Sequence, residues 1–484
     1  MAPLSSKITQ LFLEYRVLVL ICLLGLVLRL YRLPEMASYD FDQEYVTTFV
    51  LQVVREYPIR LVGQGLSVQG LFMGPFYFYA LVPFYLLFGL DPLGGVVGSV
   101  LLGMVTVIAY YFVISKLFSR QAGLWAALIR SISTYAMFAD WVMVPSYGSD
   151  IAVLAVLYLL FLIWKNKTQL ASDKIKLHWY LPALLFIFGL FTSFHPIQFP
   201  FWLVFITLLI IWKPKFNWVD WLFGCFAFLI PIAPILLFDY FRKWSMIRQI
   251  LLMFTGTSDF SQSIVLNIRA EYILKAINYH WFELLALSKD SQAFGWLTLL
   301  TCILFAFFTI YLNQRKLFLF HLFVFVLTVL IFYLYYVFFP APVPEYYLRV
   351  TQIFMTMYLG IFIAGLKRIK FGWLIQLVAV AMLVFLNFHT LWQHWQSSDL
   401  TSLAYKQRVI KHIIEQANGQ PFQVSYVTQP GWRSGFASLF ELYQARPGET
   451  GPIYTIVSPL SYLTNEEQLK LEFKTGGLGV DDPD

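Results

Sequence analysis

Three carboxylates fall within five residues near the start of the chain: Asp40, Asp42 and Glu44 of "SYDFDQEYV", directly after an apolar run that ends "LVLRLYRLPEM". A carboxylate in a partly dry pocket can take the proton of an attacking hydroxyl. The same residues can do something plainer, solvating the exit of one helix or capping the next, whose free N–H groups and positive end favour acids. Other ionisable groups recur in apolar surroundings: Asp140 and Asp150 in "FADWVMVPSYGSD", His195 in "FHPIQ", Asp239 in "PILLFDYFRK" and Arg349 in "EYYLR". Each has a structural alternative. His195 precedes Pro196 in a loop, Asp150 heads a helix, and Arg349 can lay its stem on apolar surface with its charge in water. Arg130 differs because it stands inside the run "GLWAALIRSISTYAMF". A charge at that depth is costly unless paired or hydrated, so Arg130 is expected to face the interior of a helix bundle.

The elements that position these groups must lie in a membrane. The 484 residues include 48 Phe, 29 Tyr and 15 Trp, are 59% hydrophobic and 13% charged, and have a mean hydropathy of +0.68. That is more apolar surface than a soluble fold of this length buries, and it recurs in runs along most of the chain. The first run, residues 17–30, is flanked by Lys7 and Arg16 and leads into Arg29 and Arg32 with no small-residue cleavage site, the pattern of a retained signal anchor. The net charge of +7 comes largely from Lys and Arg clustered between apolar runs, which reads as topology, and nucleic acid is not an expected partner. Cys22, Cys225 and Cys302 lie within apolar runs, with no metal-binding spacing.

Twelve apolar runs are candidates to span, near residues 17–30, 71–89, 95–115, 121–138, 148–164, 179–194, 197–212, 219–238, 294–312, 317–339, 348–366 and 371–388. If all cross, the basic loops fall on both sides of the membrane, against the enrichment of Lys and Arg in cytoplasmic loops. Residues 74–90, "GPFYFYALVPFYLLFGL", are short, carry Pro75 and Pro83, and are rich in the aromatic residues of membrane interfaces. If this segment lies in the outer interface or re-enters, the basic clusters at 116–120, 165–176, 213–215, 315–316 and 367–370 all become cytoplasmic. The expectation is therefore an all-α polytopic membrane protein with about eleven transmembrane helices and an outer interfacial helix. Its N-terminus is inside, and the acid-bearing segments gather outside.

Beyond about residue 390 the pattern changes. "LTSLAYKQRVIKHIIEQANG" has helical spacing that ends at Gly419, "FQVSYV" alternates as a strand does, "SGFASLFELYQ" is helical, and "PIYTIVS" reads as a second strand. This predicts a small α/β extramembrane appendage over residues 391–484, after a transmembrane domain over residues 1–390.

Several stretches together, "LVGQGLSVQGLFMGPFYFYALVPFYLLFGLDP", "ISKLFSRQAGLWAALI", "GLFTSFHPIQFPFWL", "PILLFDYFR" and "YYLR", resemble the bacterial GT-C glycosyltransferases. These are polytopic enzymes of the protein mannosyltransferase, aminoarabinose transferase and rhizobial lipopolysaccharide transferase type. The resemblance covers about the first 390 residues and is distributed, with no single diagnostic motif. It implies a catalytic acid in the first outer loop and a sugar donor carried on a polyprenyl phosphate. The matching acid is Asp42 in "DFDQ", where Gln43 stands in place of the common Glu, with Asp40 as second choice. The histidine match is His195, the Phe-Asp match Asp239, and the late basic match Arg349. Where relatives often have Tyr-Ser-Arg after the third spanning helix this chain has "FADW", so the donor phosphate would fall to Arg349 or Arg130. A divalent metal is a candidate cofactor, with Asp140 and Asp239 as its candidate ligands.

The expected activity is transfer of a sugar to a hydroxyl of a cell-envelope lipid, glycan or protein. The protein would sit in the plasma membrane among membrane lipids, with active site and C-terminal domain extracytoplasmic. No Gly-rich nucleotide cradle appears, which suits a lipid-linked donor. A secondary transporter is the competing class, although no paired halves are visible and Arg130 is the main deeply placed charge. A non-catalytic relative of the glycosyltransferases is the third reading.

Overall fold

The computed structural model describes residues 4–66, 68–167, 177–255, 266–286, 300–301, 303–310, 315–339, 343–397, 399–429 and 432–483. Much of the basic loop 165–176 and part of the apolar run 294–312 lie outside the described residues. Six helices are long and apolar enough to cross a membrane, and the protein is a multi-pass membrane protein. Three shorter apolar helices accompany them, so the expected count of about eleven spans is not reached by length and composition among the described residues.

Helix α1 (Leu4–Leu30) leads through the short α2 (Leu33–Met36) into α3 (Phe41–Arg55). Helix α4 (Phe76–Leu87) has 12 residues, roughly 18 Å at the helical rise and short of a ~30 Å hydrocarbon core. The bundle continues with α5 (Pro92–Leu117), α6 (Arg120–Ile132), α7 (Thr134–Asp140), α8 (Ser149–Lys167), α9 (Tyr180–Phe194), α10 (Phe199–Trp212) and α11 (Trp218–Phe241). Helices α12 (Ser245–Thr255) and α13 (Leu266–Leu285) follow, and the last long helices are α14 (Arg315–Val337), α15 (Val350–Gly365) and α16 (Gly372–Gln396).

Helix α15 is the centre: 83% of its apolar stretch is buried in the protein, against 11% for α11 and 17% for α16, whose apolar faces are left to lipid. Its close neighbour is α6. A Cβ on Gly360 would stand 2.9 Å from the Ala126 backbone nitrogen and 3.0 Å from the Ala122 carbonyl oxygen, so only glycine lets the two backbones approach so near.

The apolar run at 121–138 is two helices rather than one. Ser133 is extended between α6 and α7, and its hydroxyl accepts from the Ala136 N–H. Asn387 of α16 supplies what the break leaves open: its Oδ1 accepts from the Thr134 N–H at 3.0 Å, and its carbonyl accepts from the Thr134 hydroxyl at 2.7 Å. Non-helical backbone survives at membrane depth only where protein satisfies it in this way.

The C-terminal part holds α17 (Leu403–Ala417), β1 (Gln423–Thr428), α18 (Ala437–Leu442), β2 (Ile453–Ser458), α19 (Asn465–Leu469), β3 (Phe473–Thr475) and β4 (Leu478–Asp481). The sheet order is β1-β2-β4-β3, with β1 parallel to β2 and the other pairs antiparallel. Asn418 and Gly419 end α17 in left-handed conformations, φ 46° and 76°. This part shares one apolar core with α2, α3 and the residues between them. Tyr39, Val46 and Phe49 pack in the same cluster as Leu403, Val409, Phe436 and Leu439.

Candidate active site

Helical period sorts the opening acids. Asp40 precedes α3 and Gln43 reaches back to accept from its backbone N–H at 2.9 Å, one half of a capping box. Gln43 thus holds the start of the helix. Glu44, one turn on from Asp40, faces the C-terminal part, where its Oε1 accepts from the Ser438 N–H at 3.1 Å. Lys406 of α17 stands nearby, 2% exposed, donating to the carbonyls of Tyr39 and Ser434 at 2.7 Å each. Burial pulls its pKa down to about 8, against the pull of Asp40, Glu44 and Asp399.

Asp42 points elsewhere, into a cavity of about 440 Å³. Its polar lining is Asp42, Gln64 and His195, and four aromatic residues, Phe41, Tyr45, Tyr346 and Tyr347, supply ring faces. Gln64 Nε2 donates to Asp42 Oδ1 at 2.5 Å. Gln64 itself is fixed by a short ladder in which Met73 N–H donates to its carbonyl and Gly65 bridges Phe72. His195 Nδ1 accepts from the Ile197 N–H at 3.1 Å, which leaves the proton on Nε2. Burial pushes this imidazole down to about 3, so it is neutral at any physiological pH.

Beside the cavity lies a buried chain of ions that joins the ends of α1, α6, α7, α8 and α15. Arg130 grips Asp140 with two nitrogens, at 2.9 and 2.7 Å, and Arg29 Nε donates to the same carboxylate at 2.8 Å. Arg349 Nη2 donates to Asp150 Oδ2 at 3.0 Å, and Arg130 Nε stands 3.9 Å from that oxygen. All five are at most 5% exposed, and three guanidiniums against two carboxylates leave a charge of +1. Room for Asp140 comes from Gly103 of α5, where a Cβ would fall 2.3 Å from the carboxyl carbon.

The two ends of this chain differ. Arg29 is filled, with further bonds to the carbonyls of Gly25, Ser131 and Arg130. Arg349 is not: its Nε and Nη1 are buried without a hydrogen-bond partner among the described residues, as is Asp150 Oδ1. The Arg349 guanidinium lies over the rings of Tyr147 and Tyr135, at 4.7 and 5.4 Å from their centroids. Tyr147 in turn meets Tyr346 of the cavity, ring centroids 6.3 Å apart.

Of the residues singled out in the sequence, the structure thus brings Arg130, Asp140, Asp150 and Arg349 into one network, and Asp42 and His195 onto one cavity. It does not add Asp239, whose two oxygens accept from the Met246 and Ile247 N–H groups at 2.7 and 3.2 Å and cap α12. The expected metal ligands are accordingly committed elsewhere, Asp140 to two arginines and Asp239 to a helix end. Among the described residues no group of three or more His, Cys, Asp or Glu side chains is placed to hold a metal ion. Sequence reasoning passed over Arg29, taken as a flanking charge, and over Gln64 and Tyr147. Gly25 one turn before Arg29 was the available signal, since a small residue there lets the guanidinium fold back on its own helix.

No protein-family model matches the chain, and no curated protein matches it in sequence. Solved structures do. ArnT from Cupriavidus metallidurans bound to undecaprenyl phosphate is 12% identical, over 96% of this chain and 98% of that one, with a TM-score of 0.59. Its apo state gives 11%, 96%, 97% and 0.57. The archaeal oligosaccharyltransferase AglB from Archaeoglobus fulgidus, in complex with an inhibitory peptide and a dolichol-phosphate, is 11% identical over 95% of this chain and 71% of that one, with a TM-score of 0.50. Over 95–96% of its length, the chain shares the fold of these structures.

Proposed function

We propose that the protein is a membrane glycosyltransferase that moves a sugar from a polyprenyl-phosphate donor to a hydroxyl of a cell-envelope lipid, glycan or protein. The observation that carries this reading is the juxtaposition of Asp42, in an aromatic-lined cavity, with Arg349, whose two unpartnered nitrogens lie one tyrosine away. The fold supports it, since structures sharing that fold are bound to undecaprenyl phosphate and dolichol-phosphate.

The chemistry follows from the parts. The acceptor hydroxyl attacks C1 of the sugar as Asp42 takes its proton, and Gln64 holds the carboxylate so that its other oxygen faces the cavity. The bond from C1 to the phosphate oxygen breaks, and its electron pair stays on the phosphate. Arg349 Nε and Nη1 meet the charge that develops there, with Asp150 fixing the fork and Tyr147 adding a phenolic donor. The proton on Asp42 then returns to water. The aromatic rings suit the apolar faces of a sugar, and no Lys or Arg among the described residues lines the cavity, which favours a sugar without negative charge.

The active site and the C-terminal part would be extracytoplasmic, at the end of the bundle away from the basic loops. The division into a transmembrane unit over residues 1–390 and an appendage over 391–484 belongs to the same proposal. Purified protein in liposomes, given a radiolabelled polyprenyl-phosphate sugar and an envelope-lipid extract, should form a covalently labelled acceptor. Label that crosses the vesicle wall with no new covalent product would instead establish a transporter.

A further inference from the structure

At the end of the bundle opposite the acids, α5 stops at Leu117, α6 starts at Arg120 and α15 stops at Gly365. These ends do not close on one another. They leave a cavity of about 420 Å³, within the size range of small-ligand sites. We infer that this cavity is a second, anion-binding site, which holds the phosphate headgroup of an acidic membrane lipid.

The lining has two halves. Arg120, Lys367 and Arg368 bring three cations from two separate loops, and no Asp or Glu among the described residues lines the cavity. Gln121 and Ser119 add polar contacts at the first turn of α6. That turn is itself electropositive: the Ser119 hydroxyl satisfies the Ala122 N–H, and the first N–H groups of a helix have no intrahelical acceptor. The other half is apolar, formed by Phe118, Ile310, Ile361 and Ala364.

Topology alone accounts for basic residues in these loops but not for their convergence on one concave wall. Lys116 and Lys370, which belong to the same two clusters, do not line it. The apolar half decides the source of the phosphate. A free phosphate would fill only the cationic rim, whereas a lipid sets its headgroup on the rim and its glycerol and first methylenes against the apolar wall. Occupancy would also brace α6 against α15, the two helices that carry Arg130 and Arg349 towards the other end.

The test uses the full chain in nanodiscs of phosphatidylcholine with increasing phosphatidylglycerol, read by thermal unfolding and by native mass spectrometry of retained lipid. Wild type should retain one phosphatidylglycerol and gain stability at a few mole per cent. Lys367→Glu and Gln121→Glu, both at exposed positions, should each weaken retention about tenfold or more. Lys370→Glu is the control for surface charge, and an equal loss in that variant overturns the site. Inorganic phosphate, titrated into phosphatidylcholine nanodiscs, should give no comparable shift. A full shift with phosphate alone overturns the lipid assignment, and unaltered retention in the Lys367 and Gln121 variants overturns the site itself.

Discussion

In the buried network each carboxylate meets a guanidinium, and Asp140 meets two. In the cavity beside it, Asp42 has one amide partner, Gln64, and otherwise faces aromatic rings. Both regions carry acids at the same end of the same bundle, yet only one of them spends its acids on holding helices together. Burial makes the difference. A dry carboxylate with neither a cation nor N–H donors is too costly to keep, so the acids of the network are paired, while half-buried Asp42 keeps lone pairs open to the cavity. Arg349 stands at the join, paired on one side only.

Breaking the network should therefore cost stability first. Asp140→Ala strands Arg29 without a carboxylate and leaves Arg130 only Asp150 at 3.9 Å, and the expected loss is about 3–5 kcal/mol, read as a large fall in Tm in detergent or as failure to extract folded protein. A Tm unchanged in that variant would mean that the pairs do not hold the bundle. Next in size is the join. Arg349→Lys keeps a charge against Asp150 but loses the fork, so folding should survive while transfer falls by roughly 10²–10³-fold. Equal losses of activity and stability there would place Arg349 with the structural ions.

Smaller effects separate the two regions further. Lys406 has a folded pKa of about 8 against 10.5 for the free side chain. Between those values the unfolded chain binds more protons than the folded one, so stability from this group rises with pH across that window and is flat below it. Lys406→Met should remove the rise, seen by comparing thermal unfolding of the two proteins between pH 7 and pH 10. The smallest effect is expected at His195. Its imidazole is already neutral, so His195→Gln, which keeps an acceptor for the Ile197 N–H, should change transfer by less than about threefold and leave its pH profile between 5 and 8 unmoved. A lost limb in that profile would make the histidine a proton carrier.

How much of this could be read from residues alone follows the same division. Apolar runs and basic loops announced the bundle, and alternation announced β1 and β2. The β3–β4 hairpin escaped because "FKTGGLGVD" is too short and Gly-rich to show a period. The break at Ser133 escaped because Asn387, which binds the next residue, Thr134, lies 253 positions from it. The same limit applies to the ions: Arg130 was legible as a residue needing a partner, but Arg29 and Asp140 are 111 positions apart, and nothing local joins them. Asp42 was legible as one of three neighbouring acids. Its separation from Asp40 and Glu44 is a matter of helical phase, which turns two of them towards the C-terminal part and one towards the cavity. Pairing across the fold was hidden, whereas phase along one helix was not.

The central claim, that Asp42 is the base and the network its support, is tested most directly by Asp42→Asn in reconstituted liposomes. Asparagine keeps the size and the contact with Gln64 but cannot take the proton. Transfer from a polyprenyl-phosphate sugar should fall by about 10²–10⁴-fold, while Tm and the affinity for undecaprenyl phosphate stay at wild-type values. Full transfer in that variant would contradict the account and move the base elsewhere.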